Sequence, residues 1–479
     1  MGTRRSLARA RKLAGSHHPA AGRSTGRHGA HTRIHLCIVA AVVAAAAVVP
    51  AAAAAATLSS RLTSVLAAHG FGGAVTGVRV VDLSSATALY DRHYATQLLP
   101  ASNEKLVTSS TALAKWGANY RFKTEMLTTG TLAADGTYTG AIFIKGFGDP
   151  TLSTASYQSH VLHFTTARLE HFVTALQNAG VKRIVGRIAG DDTWFDKART
   201  VGSWNAGESD DCAPLSALCL NGDLAANGSR LKDPARTVAA QLTALLRKHG
   251  IPVSGAPTVY PAPAKALVSY TEKSAPLSRI LAAMNKPSDN FYAEELTKGL
   301  GAAFGGGGTT ARGNKVESAF LVSQGIAAGH FRLYDGSGLS YKDRLTTLDL
   351  TVLLQAMSRR ADWTIFWRSL AVAGVDGTLS DRMKGTAAYR NVHAKTGTLE
   401  VASNLSGYVL SANGHWLCFS ILMNHYPWID VAAAHVAQDA IAVDLAKAKP
   451  GGKIVWAPNP VPSAAAGVAA PGATANTTE

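Results

Sequence analysis

The chain has 479 residues, of which 47% are hydrophobic and 16% charged. That is enough for about two to four domains with packed cores, and it excludes wholesale disorder. The net charge of +16 would suit a nucleic-acid partner if it were evenly spread, but half of it comes from eight basic residues between Arg4 and Arg33. No Asp or Glu accompanies them, the rest of the chain is only mildly basic, and no nucleic-acid partner is expected.

An apolar run from Leu36 to Ala56, broken only by Pro50, follows the basic start. Its 21 residues can reach across a bilayer, and small residues crowd its end. Residues 1–56 therefore read as an export signal or membrane anchor, giving an extracytoplasmic, cell-envelope location with membrane contact only through this segment. Cysteine usage agrees. Cys212 and Cys219 are spaced for a local disulfide outside the cytoplasm, whereas Cys418 lies in a strand-like apolar run as a small core residue. No His/Cys spacing suggests a metal site.

Leu58, Leu62, Val65 and Leu66 predict a helix ended by Gly70, and a strand follows at Gly77–Asp82. A second helix opens at Pro100–Lys105. Beyond about Phe122 the texture becomes α/β. A strand is expected at Tyr138–Lys145, an amphipathic helix at Thr165–Ala179, a strand at Val181–Ile188 and a loop-rich excursion near 193–232. A helix then starts at Asp233-Pro234 and ends at Gly250. Gly305–Gly308 lacks a following Gly-Lys-Ser/Thr and reads as a flexible connection rather than a phosphate loop. Strands are expected at Val401–Ser411 and His415–Asn424. After Val455 the composition is that of a disordered tail.

Three short motifs carry chemistry. In Ser102-x-x-Lys105 a hydroxyl and an amine share one helix face at the first turn, where free backbone N–H groups favour developing negative charge. The lysine can act as a base once burial or a second cation lowers its pKa. Ser229-Arg-Leu-Lys232 matches the same pattern, but Asp233-Pro234 starts a new helix directly after it. Ser288-Asp289-Asn290 offers a proton relay and an amide. Ser203-Trp-Asn205 and Ser411-Ala-Asn413 share its pattern and read as turn polarity. Lys395-Thr396-Gly397-Thr398 contains the only K-T-G in the chain, against about 0.1 expected by chance at average usage. Its lysine and hydroxyls suit a carboxylate, and Gly397 would let a substrate approach the strand closely.

S-x-x-K, S-D-N and K-T-G in this order are the signature of class A β-lactamases and penicillin-binding proteins. The 186-residue interval from Ser102 to Ser288 separates the two. With the phrases Gly148-Asp-Pro-Thr-Leu152, Asp335-Gly-Ser-Gly-Leu-Ser340 and Gly374-Val-Asp-Gly-Thr-Leu379, the chain resembles the D-alanyl-D-alanine carboxypeptidase/endopeptidases with a large insertion. These are the class C low-molecular-mass penicillin-binding proteins, peptidase family S13.

The resemblance implies an α/β (α+β) architecture. A discontinuous transpeptidase-like domain (57–121 and 271–450) has an antiparallel sheet flanked by helices, is interrupted by an inserted α/β unit (122–270) and precedes a tail (451–479). It also implies the roles. Ser102 is the nucleophile, Lys105 its base and Ser288 a proton relay. Asn290 holds Lys105 or the substrate amide, and Lys395, Thr396, Gly397 and Thr398 bind the substrate carboxylate. The substrates implied are peptidoglycan stem peptides, β-lactams are inhibitors, and no cofactor is needed. Leu399 and Glu400 would border the stem-peptide side chain, an acidic residue there favouring an amine. Asp149 reads either as a lining residue of the same pocket or as a turn residue, and Asp376 as a turn residue.

A β-lactamase would need a deacylating glutamate between the second and third motifs, with an asparagine four residues on. Glu400 and Asn404 have the spacing but follow K-T-G. An esterase on the same fold and a non-catalytic wall-binding module are the remaining alternatives. Loss of a motif would point to the latter, and all three are intact.

Overall fold

A computed structural model describes residues 56–454, apart from 73–74, 206 and 226–227. All of the expected export segment (1–56) except residue 56, and all of the expected tail (451–479) except 451–454, lie outside the described residues. No helix among the described residues is long and apolar enough to cross a membrane.

The chain begins with α1 (Leu58–Ala68), then β1 (Val75–Asp82) and β2 (Thr87–Arg92). A 3₁₀ turn, Ala101–Glu104, leads into α2 (Lys105–Trp116). There follow β3 (Lys123–Thr128), β4 (Thr131–Leu132), β5 (Thr137–Thr139), β6 (Ile142–Gly146) and α3 (Glu170–Asn178). Next are β7 (Arg183–Val185), β8 (Ile188–Asp191), α4 (Pro234–Lys248), β9 (Thr258–Val259) and β10 (Leu267–Lys273). A helical stretch comprises α5 (Leu277–Asn285), α6 (Asn290–Phe304), α7 (Thr310–Ser323), α8 (Thr347–Ser358) and α9 (Trp363–Ser369). The chain closes with β11 (Ala371–Val372), β12 (His393–Leu399), β13 (Ala402–Leu410), β14 (Trp416–Asn424) and α10 (Val431–Lys447).

The principal sheet has the order β11-β12-β13-β14-β1-β2, with every neighbour antiparallel. Helices cover both faces, and the side-chain alternation of a strand explains how. In β14, Leu417, Phe419, Ile421 and Met423 pack in the core with Leu62 and Leu66 of α1 and Ile441 and Leu445 of α10. Cys418 and Leu422 point the other way, into a core with Leu106 of α2, Leu281 of α5, Leu296 of α6 and Leu353 of α8. Each such fully buried Leu or Phe contributes roughly 1.5–3 kcal/mol. This double burial gives β13 and β14 their near-continuous apolar sequence. The fold class is the mixed α/β one expected, an antiparallel sheet flanked by helices.

Residues between α2 and α5 build a five-stranded sheet, β10-β3-β6-β8-β9, and a three-stranded one, β4-β5-β7. Ile142, Ile144 and Ile188 pack there against Phe172 and Leu176 of α3 and Val238 and Leu242 of α4. Asp233 caps α4 by accepting from Arg236 N–H at 3.1 Å.

Several sequence expectations are corrected here. The strands expected at Tyr138–Lys145 and Val181–Ile188 each divide between two sheets, into β5 and β6 and into β7 and β8. The breaks fall at Gly140 and Gly186, whose backbones cross so closely that a Cβ on Gly186 would lie 1.8 Å from the Gly140 carbonyl oxygen. The helix expected from Thr165 starts only at Glu170, because Arg168 forms a β-bridge with Ser153 instead. Gly305–Gly308 is a hydrogen-bonded turn: Gly307 N–H donates to Gly301 O at 3.1 Å, and Asp196 N–H to Gly308 O at 3.0 Å. The expected Cys212–Cys219 disulfide is absent. Both thiols are free and buried, and Cys219 donates to Asp149 O at 2.9 Å while Cys212 donates to Ala213 O at 3.4 Å.

Candidate active site

The Leu99–Glu104 loop lies against β12, β13 and β14. Three asparagines pin it by main-chain contacts. Asn404 of β13 donates to Leu99 O at 2.9 Å and Pro100 O at 2.7 Å. Asn424 of β14 accepts from Leu99 N–H at 2.8 Å. Asn103 donates to Lys395 O at 3.3 Å, tying the loop to β12. Ala101, just before Ser102, is held at φ +45°, a strained backbone of the kind that collects at functional sites.

Lys105 is fully buried, and its Nζ has three partners. Ser102 Oγ lies at 2.9 Å, Asn290 Oδ1 at 2.7 Å and Ser337 O at 2.7 Å. Two of these are carbonyl oxygens, which only accept. A neutral amine has two N–H bonds, so with both committed to the carbonyls its lone pair faces Ser102 Oγ. Burial lowers the Lys105 pKa to about 8, against the opposing pull of Asp335, Glu294 and Asp289. The side chain is thus placed and poised to receive the serine proton.

The second motif comes from the junction of α5 and α6. Asp289 caps α6 by accepting from Tyr292 N–H at 2.9 Å, which sets Asn290 at the helix start. The Asn290 amide also donates to Asp211 O at 3.0 Å, so the 193–232 excursion reaches the site. Ser288 sits at φ +65° and accepts from Lys395 Nζ at 2.8 Å. Lys395 is fully buried and donates as well to Thr396 O at 2.9 Å. Burial, assisted by the Lys105 charge, pushes its pKa well down. The three motifs are therefore joined by two sets of contacts, Asn290 to Lys105 to Ser102 and Ser288 to Lys395.

Strand β12 lies against the serine loop because residue 397 has no side chain. A Cβ there would sit 2.8 Å from Pro100 O and 3.0 Å from Ser102 N. Thr396 Oγ1 donates to Thr378 Oγ1 at 2.7 Å, and Thr398 is exposed beside the loop. Glu400 is exposed in the β12–β13 turn. Asn404, four residues on, is committed to the Leu99 and Pro100 carbonyls, so this pair does not form the water-activating arrangement of a β-lactamase.

Sequence reasoning missed the Asp335–Ser340 loop as a part of the site, although it noticed the phrase. Asp335 accepts from Gly338 N–H and Ser340 N–H, both at 2.7 Å, and from Trp204 Nε1 at 2.7 Å. Glu294 of α6 accepts from Gly336 N–H at 3.0 Å and Ser337 N–H at 2.8 Å. Two buried carboxylates thereby fix the carbonyl that holds Lys105. Asp376 accepts from Val372 N–H at 2.9 Å and from Lys286 Nζ at 2.7 Å, steadying the segment before Ser288. Asp149 accepts from Thr151 N–H at 2.8 Å in a buried turn. Ser411 hydrogen-bonds Asn413 at 2.8 Å, in a turn.

The chain is similar to several known proteins. A D-alanyl-D-alanine carboxypeptidase from Actinomadura sp. (strain R39) is 30% identical, over 81% of this chain and 84% of its own length. Carboxypeptidase DacB of Mycolicibacterium smegmatis is 28% identical, over 77% and 80%. Among solved structures, penicillin-binding protein 4 (dacB) of Haemophilus influenzae shares the fold with a TM-score of 0.69. That match has 22% identity and covers 81% of this chain and 99% of the other. The model of the D-Ala-D-Ala carboxypeptidase 3 (S13) family matches residues 58–229 and 217–448, and this chain belongs to that family.

Proposed function

We propose that the chain is a serine D-Ala-D-Ala carboxypeptidase that acts on peptidoglycan stem peptides through an acyl-enzyme on Ser102 and is itself acylated by β-lactams. The observation that carries this reading is the three-partner environment of Lys105, which aims its lone pair at Ser102 Oγ. Lys105 takes the hydroxyl proton as Ser102 Oγ bonds to the carbonyl carbon between the terminal D-alanines. The oxyanion sits between the backbone N–H groups of Ser102 and Thr398. As it collapses, the C–N bond breaks, and the proton held by Lys105 passes through Ser288, beside Lys395, to the departing amine, which returns Lys105 to its neutral form. Lys395, Thr396 and Thr398 hold the terminal carboxylate. Water then attacks the ester, Lys105 accepts the water's proton, and as the Ser102 Oγ–acyl bond breaks Lys105 returns that proton to Ser102 Oγ. The reaction needs no cofactor.

In this reading residues 57–121 and 271–450 form the catalytic domain and 122–270 an insert, with 1–56 an export signal or anchor that places the enzyme in the cell envelope. The test is release of the C-terminal alanine from a peptide ending in D-Ala-D-Ala and from its L-Ala-L-Ala counterpart. Release of one D-alanine from the first alone is expected. No release from either contradicts the reading.

A further inference from the structure

Strand β14 ends at Asn424, and six residues separate it from α10. That connection is built rather than loose. His425 N–H donates to Val401 O at 2.9 Å, and Ile429 N–H donates to Glu400 O at 3.0 Å, so both ends are fastened to the β12–β13 turn. His425 Nδ1 meets Trp428 O at 2.9 Å across the loop, Ile429 is buried, and Asp430 caps α10. Between these anchors stand Tyr426 and Trp428, 62% and 60% exposed, the two most exposed aromatic side chains among the described residues. Burying either ring would release apolar area, and Trp and Tyr are the side chains that most often supply binding energy from such positions.

Position relative to the site says what would cover them. A peptide whose carboxylate lies at Lys395 and Thr396, with its scissile carbonyl at Ser102 and Thr398, runs antiparallel to β12. Its upstream residues then pass Leu399 and Glu400. Glu400, in the β12–β13 turn, is two residues, at most about 7 Å, beyond Thr398. The peptide's N-terminal end, three or four residues before the scissile bond, extends about 10–14 Å in this direction. It therefore comes out over the loop that Glu400 and Val401 hold. In the wall polymer that end is joined to an amino sugar.

We propose that Tyr426 and Trp428 form a stacking platform for the amino-sugar ring attached to the stem peptide, so that the enzyme favours sugar-bearing substrates over free peptides. The proposal rests on the carboxypeptidase reading for the direction of the peptide. It is tested by comparing kcat/KM for D-alanine release from a muramyl pentapeptide and from the same pentapeptide acetylated in place of the sugar, in the wild-type chain and in Trp428→Ala and Tyr426→Ala. The wild-type chain should favour the sugar-bearing substrate about tenfold or more. Trp428→Ala should lose most of that preference while cleaving the acetylated peptide within twofold of wild type.

Equal preference in wild type and both variants overturns the platform. So does Trp428-dependent binding to anionic vesicles with the sugar preference intact, which would assign the rings to a lipid surface. Should the wild-type chain cleave neither peptide, the carboxypeptidase reading fails, and calorimetric titration with the peptide-free disaccharide still decides. Heat of binding that Trp428→Ala abolishes supports the platform, and no heat with the wild-type chain overturns it.

Discussion

Lys105→Met is expected to lower the rate of Ser102 acylation by about 10³-fold, within the 10²–10⁴ range of a lost general base. Methionine nearly preserves the volume, so the loss measures chemistry rather than collapse. It leaves Asn290 Oδ1 and Ser337 O without their donor, which costs about 1–3 kcal/mol of stability. The pH dependence gives an independent reading. Burial favours the uncharged amine and brings the Lys105 pKa down to about 8. The reactive form is the deprotonated one, so acylation should rise with pH up to about 8 and then level. Two units below that, about one lysine in a hundred is neutral, and the rate should fall to about one-hundredth. The variant should show no rise over the same interval. Stopped-flow acylation with a chromogenic cephalosporin measures both effects. A variant within a few-fold of wild type, or a wild-type rate that falls as pH rises through 8, contradicts the assignment of Lys105 as base.

Gly338→Ala is expected to be the most damaging single-methyl addition near the site. Gly338 has φ +79°, and a Cβ there would lie 1.9 Å from Ala101 O and 3.0 Å from the Glu104 Cβ. The backbone conformation alone costs about 1–2 kcal/mol for a non-glycine residue. Overpacking adds about 1–3 kcal/mol more. The displaced atoms belong to the turn that carries Ser102, so acylation should fall along with stability. Gly180→Ala is the control. Gly180 has φ +82° with no heavy atom within 4 Å of the added Cβ, so it carries the conformational cost without the collision. Denaturant unfolding of the two variants should differ by the overpacking contribution, and only Gly338→Ala should lose acylation. Equal destabilisation of both would show that the 335–340 loop does not press on the serine turn.

The parts of the site legible in the sequence were those with chemical side chains in ordered motifs. Ser102 with Lys105, Ser288 with Asn290, and Lys395 to Thr398 were visible because each motif is local; their order excluded Ser411, which follows K-T-G, and the helix start at Asp233-Pro234 set Ser229 aside. What holds them was not legible. Asn404, Asn424, Glu294 and Asp335 act on main-chain N–H and C=O groups, and a main-chain partner leaves no mark on the sequence. The fold shows the same division. Helices with strong periodicity and caps, such as α4 behind Asp233, were readable to within a residue or two. The strands at 138–145 and 181–188 were not, because their apolar patterns continue through Gly140 and Gly186 while the backbone crosses from one sheet to another. The free thiols of Cys212 and Cys219 show a further limit: spacing permits a bridge, but Cys219 turns instead toward the Asp149 carbonyl.

The proposed mechanism requires that Ser102 be the residue acylated, activated by a lysine one turn away and joined by two distant motifs. Intact-mass measurement after incubation with a penicillin tests it most directly. The wild-type chain should gain one drug mass that is slowly released, and Ser102→Ala, folded to the same melting temperature, should gain none. A Ser102→Ala variant that is labelled like wild type, or a wild-type chain that takes up no drug, would contradict the account.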